Sequence, residues 1–153
     1  MSKISPTTHD PSALAYQLYI ELEWVQPKVW RRLLVPITID LPMLHVTLLF
    51  GMGWQGGHIH EFVIGRDSYG PMDMADLDHI VDEEGVTLRQ MLGARKTFVY
   101  VYDYGDDWRH QVKVEKLKVY VDSSARASST LKAVGLPKTL LIKNGLNPDV
   151  DMK

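Results

Sequence analysis

The chain has 153 residues, no cysteine and a formal net charge of −2. This length predicts one domain that can bury a hydrophobic core, and the lack of cysteine excludes disulfides, thiolate zinc sites and a cysteine nucleophile. The small net charge gives no global attraction to nucleic acid or anionic membranes, and no apolar run reaches the roughly 20 residues of a membrane-spanning helix. We therefore expect a cytoplasmic protein without a membrane partner.

Two antiparallel strands are predicted at the start of the ordered region. Apolar and polar residues alternate over residues 16–24, which is the period-2 pattern of a strand with one buried face. Pro27 interrupts this pattern, and residues 29–35 then predict a second strand. Within that strand, Arg31 and Arg32 point to opposite faces, so we expect one of them to lie near the core.

The main helix is predicted to begin after Asp40, an N-cap residue that is followed by Pro42 in the first turn. Gly53 is placed to end it. His45 lies beside the apolar stripe, where we expect a hydrogen-bonded packing residue rather than a ligand. The stripe itself follows helical spacing and consists of Leu41, Leu44, Leu48 and Met52.

A third strand is predicted over residues 58–64, where His58 and His60 lie two positions apart on one face. Two imidazoles that project side by side can bind one metal ion. Residues 66–85 are acidic and lack the offsets of a calcium-binding loop, so we predict a solvated excursion there. Residues 86–92 predict a short helix.

The strongest structural signal is a hairpin over residues 98–115, because two alternating runs rich in aromatic and β-branched residues flank the acidic loop 104–107. We expect Gly105 to supply a positive φ in the loop. The aromatic face of the hairpin is predicted to belong to the core. Carboxylates gather around the bend, and they are Asp103, Asp106 and Asp107.

Three segments of the chain carry a family resemblance. The first is Pro27-x-x-Trp30-Arg31-Arg32. The second runs from Leu44-His45 through Gly53-Trp54 to His58-x-His60-x-Phe62. The third contains Tyr102-Asp103-Tyr104-Gly105-Asp106-Asp107-Trp108-x-His110. Together they resemble the plasmid pRiA4b ORF-3-like family, whose members are carried by plasmids and insertion elements. The resemblance implies a compact α+β domain of unknown biochemical function.

The resemblance also suggests boundaries within the chain. We predict a flexible lead-in at residues 1–15, the family domain at residues 16–118, and a divergent or truncated, partly ordered tail at residues 119–153. Family members usually continue with a cysteine-containing segment, which this chain lacks.

The expected fold is α+β, with about five mostly antiparallel strands and one main helix packed on the sheet in the order β-β-α-β-short α-β-β. This opening also allows a ubiquitin-like grasp as an alternative topology. Seven residues are expected to have structural roles, and they are Trp30, Arg31, Arg32, His45, Trp54, Gly105 and Trp108.

Three function hypotheses follow from these residues. The first is a non-catalytic binding or accessory module from a mobile element, with a protein or nucleic-acid partner. The second is a metal-dependent hydrolase or nuclease at the point where the third strand meets the hairpin bend, with zinc or manganese held by His58, His60 and Asp106. The third is nucleic-acid binding through Lys28, Arg31 and Arg32. The whole candidate site comprises His58, His60, Asp103, Asp106, Asp107 and His110.

Overall fold

One mixed sheet forms most of the described structure. The computed structural model describes residues 14–72, 79–119 and 143–145, so most of the predicted lead-in at residues 1–15 and of the predicted tail at residues 119–153 lies outside these ranges. Within the described parts, no helix is long and apolar enough to cross a membrane.

Eight strands and two helices follow one another along the described chain. The strands are β1 (Leu14–Leu22), β2 (Trp30–Pro36), β3 (His60–Ile64), β4 (Asp67–Gly70), β5 (Ile80–Asp82), β6 (Thr97–Tyr102), β7 (Trp108–Val119) and β8 (Lys143–Gly145). The helices are α1 (Leu41–Met52), between β2 and β3, and α2 (Leu88–Leu92), between β5 and β6. The sheet has the order β5-β4-β3-β6-β7-β1-β2-β8. Its strand pairs are antiparallel except for the parallel pair β4–β5.

The predicted α+β fold with about five strands and one main helix is wrong. The described structure is mostly sheet, with eight strands and two short helices. Two of the additional strands, β4 and β5, lie within the stretch whose acidic composition predicts a solvated loop. They have four and three residues, so they are too short to show a period-2 pattern. The third additional strand, β8, pairs with β2.

The predicted hairpin is confirmed, and it lies in the middle of the sheet. β6 pairs with β7 in a register that places Tyr102 opposite Trp108. The predicted positive φ at Gly105 is wrong, because the left-handed residues of the bend are Asp103 (φ 60) and Asp107 (φ 52). Aspartate tolerates this conformation because its side chain can hydrogen-bond the turn backbone, and Asp103 Oδ1 accepts from the Gly105 N–H at 3.0 Å.

The predicted limits of α1 are confirmed by both caps. Asp40 Oδ1 accepts a hydrogen bond from the Met43 N–H at 2.9 Å, and Gly53 adopts φ 86 after the last turn. The helix presents a fully buried face to the sheet. That face consists of Leu41, Leu44, Leu48 and Met52.

Removal of the N-cap is expected to have a moderate effect on stability. Asp40→Ala leaves the Met43 N–H without its side-chain acceptor, so we expect the free energy of unfolding to fall by about 1 kcal/mol. Urea denaturation followed by tryptophan fluorescence measures this change. Thr38→Ala, at an exposed position before the helix, is the matched control, and an equal loss in both variants would contradict the capping role.

The two adjacent arginines of β2 lie on opposite faces, as predicted. Arg31 is only 6% exposed, and its Nε donates to the carbonyl of Gly51 in the last turn of α1 at 3.0 Å. This contact places a cation at the negative end of the helix dipole. Burial lowers the pKa of Arg31. Arg32, on the other face, binds both carboxylate oxygens of Glu115.

Candidate functional site

A pocket of about 290 Å³ opens at the bend between β6 and β7, and we call it the hairpin-end pocket. It also borders the segment that leads from α1 into β3. Its lining combines aromatic rings with polar and acidic groups. The lining residues are Trp54, Gln55, Gly56, His58, Tyr102, Asp103, Asp106 and Trp108.

The segment between α1 and β3 forms one side of the pocket because its glycines permit a tight path. Gly56 and Gly57 adopt φ 89 and φ 93, values that side-chain-bearing residues rarely take. This path brings Gly56 and His58 to the same pocket wall as Tyr102. Burial raises the pKa of Tyr102, and the backbone of Gly56 and His58 opposes the rise.

Three aromatic rings form the apolar wall. The ring centroid of Trp54 lies 5.6 Å from that of Tyr102 and 5.2 Å from that of Trp108. These separations are within the range of favourable aromatic pairs. Trp54 and Tyr102 are buried, whereas Trp108 is only half-buried. The Trp108 ring is therefore the aromatic surface that a ligand could reach most readily.

The polar rim is formed by His58 and the acidic bend. His58 is 55% exposed in its side chain, and its Nδ1 lies 3.3 Å from Asp103 Oδ2. The other oxygen of Asp103 accepts from backbone N–H groups of the bend, so this carboxylate braces the loop. Asp106 is exposed. Asp107 instead faces Arg109, whose Nη1 is 3.7 Å from its carboxylate.

His110 lies fully buried beneath the aromatic wall. The Trp54 indole N–H donates to His110 Nε2 at 3.1 Å, and the Nδ1 of His110 lies 3.0 Å from the carbonyl oxygen of Tyr100. Because an indole nitrogen can only donate, Nε2 must accept and the proton must be on Nδ1. This arrangement holds the neutral imidazole, and burial lowers the pKa of His110 to about 4.

A buried polar chain continues from His110 towards the sheet edge. The Tyr100 hydroxyl lies 2.8 Å from His45 Nδ1, and the rings of His45 and His60 stack at a centroid distance of 3.5 Å and an angle of 6°. His60 Nε2 in turn donates to Glu83 Oε2 at 2.8 Å. Burial, followed by the neighbouring His60, lowers the pKa of His45 to about 4, and burial raises that of Tyr100. The polar chain comprises Trp54, His110, Tyr100, His45, His60 and Glu83.

Comparison with known proteins decides the family. The model of the family described as "Plasmid pRiA4b ORF-3-like protein" matches residues 14–135, which is most of the chain. The chain belongs to the plasmid pRiA4b ORF-3-like family. The predicted family resemblance is thereby confirmed.

Two relatives of the chain have no assigned function. The uncharacterized protein y4hQ of Sinorhizobium fredii (strain NBRC 101917 / NGR234) is 39% identical over 107 residues, which cover 68% of this chain and 55% of that protein. The chain thus spans about half the length of this curated relative. The crystal structure of MM3350, a protein of unknown function from Methanosarcina mazei Go1, is similar with a TM-score of 0.66 and 27% identity. That similarity covers 72% of this chain and 65% of the other.

In this member of the family, the predicted site residues are distributed over two environments. His58, Asp103 and Asp106 line the hairpin-end pocket, whereas Asp107 faces Arg109. The two remaining residues, His60 and His110, belong to the buried polar chain.

The predicted metal ligands do not share one partner. His58 contacts Asp103, while His60 contacts Glu83. Over residues 14–72, 79–119 and 143–145, no group of three or more histidine, aspartate or glutamate side chains is placed to hold a metal ion. Zinc or manganese binding through His58, His60 and Asp106 stays a prediction.

The predicted nucleic-acid contacts are engaged within the protein. Lys28 Nζ lies 2.9 Å from Glu21 Oε1, and Arg32 forms its two hydrogen bonds with Glu115. The Arg31 guanidinium is buried at the end of α1. A nucleic-acid role for these three cations stays a prediction.

Sequence patterns do not reveal two features of the site. Glu83 is buried, although its acidic neighbours predict a solvated excursion and give no signal that singles it out. The pattern predicts only core packing for Tyr102 and only a structural role for Trp54. Both line the hairpin-end pocket, and the Gly56-Gly57 turn beside Trp54 is the available signal.

Proposed function

We propose that this member of the pRiA4b ORF-3-like family is a non-catalytic binding module whose ligand occupies the hairpin-end pocket. The observation that carries the proposal is the composition of this pocket, in which a half-buried tryptophan lies beside exposed polar groups. Apolar walls with a few convergent polar groups are typical of small-molecule sites. Association with plasmids or insertion elements stays a prediction from the resemblance.

The environment of the ionisable groups supports binding rather than catalysis. His45, His60 and His110 are engaged with neighbouring side chains or stacked rings in the interior. General acid–base catalysis needs a group within hydrogen-bonding reach of the substrate. Among the described residues, His58 is the one histidine that lines the hairpin-end pocket, and its Nδ1 already faces Asp103.

The hairpin-end pocket also has a rigid base. Trp54 is held by its hydrogen bond to His110, and Asp103 is held by the bend that it braces. A pre-organised site loses little conformational entropy on binding, which favours affinity. These contacts support a preformed pocket rather than one that a ligand must assemble.

A fragment screen tests this function and does not require the natural ligand to be identified first. The chain has four tryptophans, whose indole N–H groups give separate NMR signals. We expect fragments from a library of neutral, cationic and anionic compounds to shift the signals of Trp54 and Trp108. The signals of Trp24 and Trp30, which do not line the pocket, should remain unchanged, and bound fragments should be recovered chemically intact.

The matched variants are Trp108→Ala, which removes the accessible ring, and Trp24→Ala, which removes a ring that is 79% exposed elsewhere. Fragment binding should be lost in the first variant and retained in the second. The proposal fails if no fragment in any charge class shifts the Trp54 or Trp108 signal. It also fails if binding is equal in the two variants.

A further inference from the structure

We propose that the ligand of the hairpin-end pocket is an organic cation that carries an ammonium or guanidinium group. This inference rests on the proposed function, because it names the chemistry of the ligand for the same site. It is carried by the combination of an accessible indole ring with the carboxylate of Asp106, which has no ion-pair partner among the described residues. Carboxylates alone would not specify an organic ligand.

The charge of the pocket favours a cation. Among its described lining residues, the acidic groups are Asp106 and Asp103, of which Asp103 faces His58, and none is lysine or arginine. The nearby Arg109 does not line the pocket, because it faces Glu23 at 3.5 Å and Asp107 at 3.7 Å. Asp106 has no ion-pair partner within the described part of the chain. An anionic ligand would therefore meet repulsion at the rim.

The aromatic wall favours an organic cation over a metal ion. The face of an indole ring is electron-rich, and tryptophan is the strongest aromatic partner of ammonium and guanidinium groups. Such groups also bury alkyl surface against the ring. A metal ion would instead need several oxygen or nitrogen ligands at short distance, and the described residues offer no such group of three.

The volume of the pocket limits the size of the ligand. At about 290 Å³ it lies just below the range for small-molecule sites, which extends from roughly 300 to 1,000 Å³. A single cationic head group or one basic side chain fits this volume. A nucleotide or another large cofactor would extend well beyond it.

Choline and its uncharged carbon isostere, neohexyl alcohol, provide a direct test of the charge. The two probes have nearly the same shape, and the carboxylate 3,3-dimethylbutanoate is the anionic counterpart. We expect choline to bind about three- to thirty-fold more tightly than neohexyl alcohol, as judged from the Trp108 indole signal, because the cation–π attraction is lost with the charge. The anion 3,3-dimethylbutanoate is expected not to shift this signal.

A charge variant provides a second test that does not depend on removal of a ring. Asp106→Asn is expected to weaken choline binding by about two- to five-fold, since an exposed charge contributes modestly, and to leave neohexyl alcohol binding unchanged. Asp67→Asn, at an exposed position on β4, is the control and should leave both affinities unchanged. Choline binding that is unaffected by both Asp106→Asn and Trp108→Ala would overturn the inference.

N-acetylarginine amide distinguishes the two sources of such a cation. If it binds more tightly than choline, the natural ligand is a basic side chain of a partner protein; the reverse order indicates a free quaternary ammonium compound. Neohexyl alcohol binding as tightly as choline would overturn the cation inference and leave the proposed function standing. An empty fragment screen would instead remove the proposed function as well.

Discussion

Replacing Glu83 with alanine is expected to lower the free energy of unfolding by about 1 to 3 kcal/mol, which is the usual cost of leaving a buried hydrogen-bond donor without its acceptor. The Glu83 carboxylate is buried and lies 2.8 Å from the Nε2 of buried His60. Its removal leaves that imidazole N–H without an acceptor in the interior. Urea denaturation at neutral pH, followed by tryptophan fluorescence, measures the loss.

The adjacent glutamate provides the matched control for this prediction. Glu84 is exposed, so Glu84→Ala is expected to change the free energy of unfolding by less than about 0.5 kcal/mol. Glu83→Gln keeps an oxygen acceptor for His60 and should therefore cost less than Glu83→Ala. Equal stabilities of the Glu83→Ala and Glu84→Ala variants would contradict a structural role for the buried pair.

Mild acid is expected to destabilise the protein through His45 and His110. Both imidazoles are held neutral in the folded chain, with pKa values lowered from 6.5 to about 4. Between these values the unfolded chain binds more protons than the folded chain. The stability that the two neutral histidines contribute to the folded chain is therefore complete above pH 6.5 and is lost as the pH falls towards 4.

The free energy of unfolding is expected to be lower at pH 5 than at pH 7 by about 2 kcal/mol for each of the two histidines. Urea denaturation at both pH values measures it, and pH 5 lies above the range in which Glu21 and Glu115 titrate, because their pKa values are lowered from 4.5. The His60 ring stacks on His45 and hydrogen-bonds Glu83. The pH dependence of stability is therefore compared only among proteins in which His60 and Glu83 are unchanged.

Histidine variants separate this effect from general acid sensitivity. His45→Gln should remove about half of the pH dependence, because glutamine can still hydrogen-bond the Tyr100 hydroxyl but does not titrate. His58→Gln, at the exposed rim of the hairpin-end pocket, is the control and should retain the full dependence. A wild-type protein with the same free energy of unfolding at pH 7 and pH 5 would contradict the prediction.

Local sequence signals predict the elements in which one buried face repeats along the chain. The alternation over residues 98–115 predicts the β6–β7 hairpin, and Asp40 with Gly53 predicts both ends of α1. The same signals miss the strands β4, β5 and β8. These strands have only three or four residues each, so their pairing depends on neighbouring strands rather than on their own periodicity.

The candidate site shows the same division between local and long-range information. The hairpin motif places Asp103 and Asp106 at a bend, and the structure gives them Trp54, which is distant in sequence, as a neighbour in the pocket. His58 and His60 share a strand face in the sequence pattern, but the backbone turn before β3 leaves the first exposed and buries the second. A pattern of alternation cannot encode that turn.

The sequence by itself determined the family, through three short motifs, and the central hairpin and the capped helix, because each of these signals lies in residues that are close together in the chain. Only the tertiary structure decided the extent of the sheet, the burial of Glu83 against His60, and the grouping of aromatic rings with carboxylates in one pocket. The physical reason is that these features arise from contacts between distant segments. Their strength depends on burial, which no local pattern specifies.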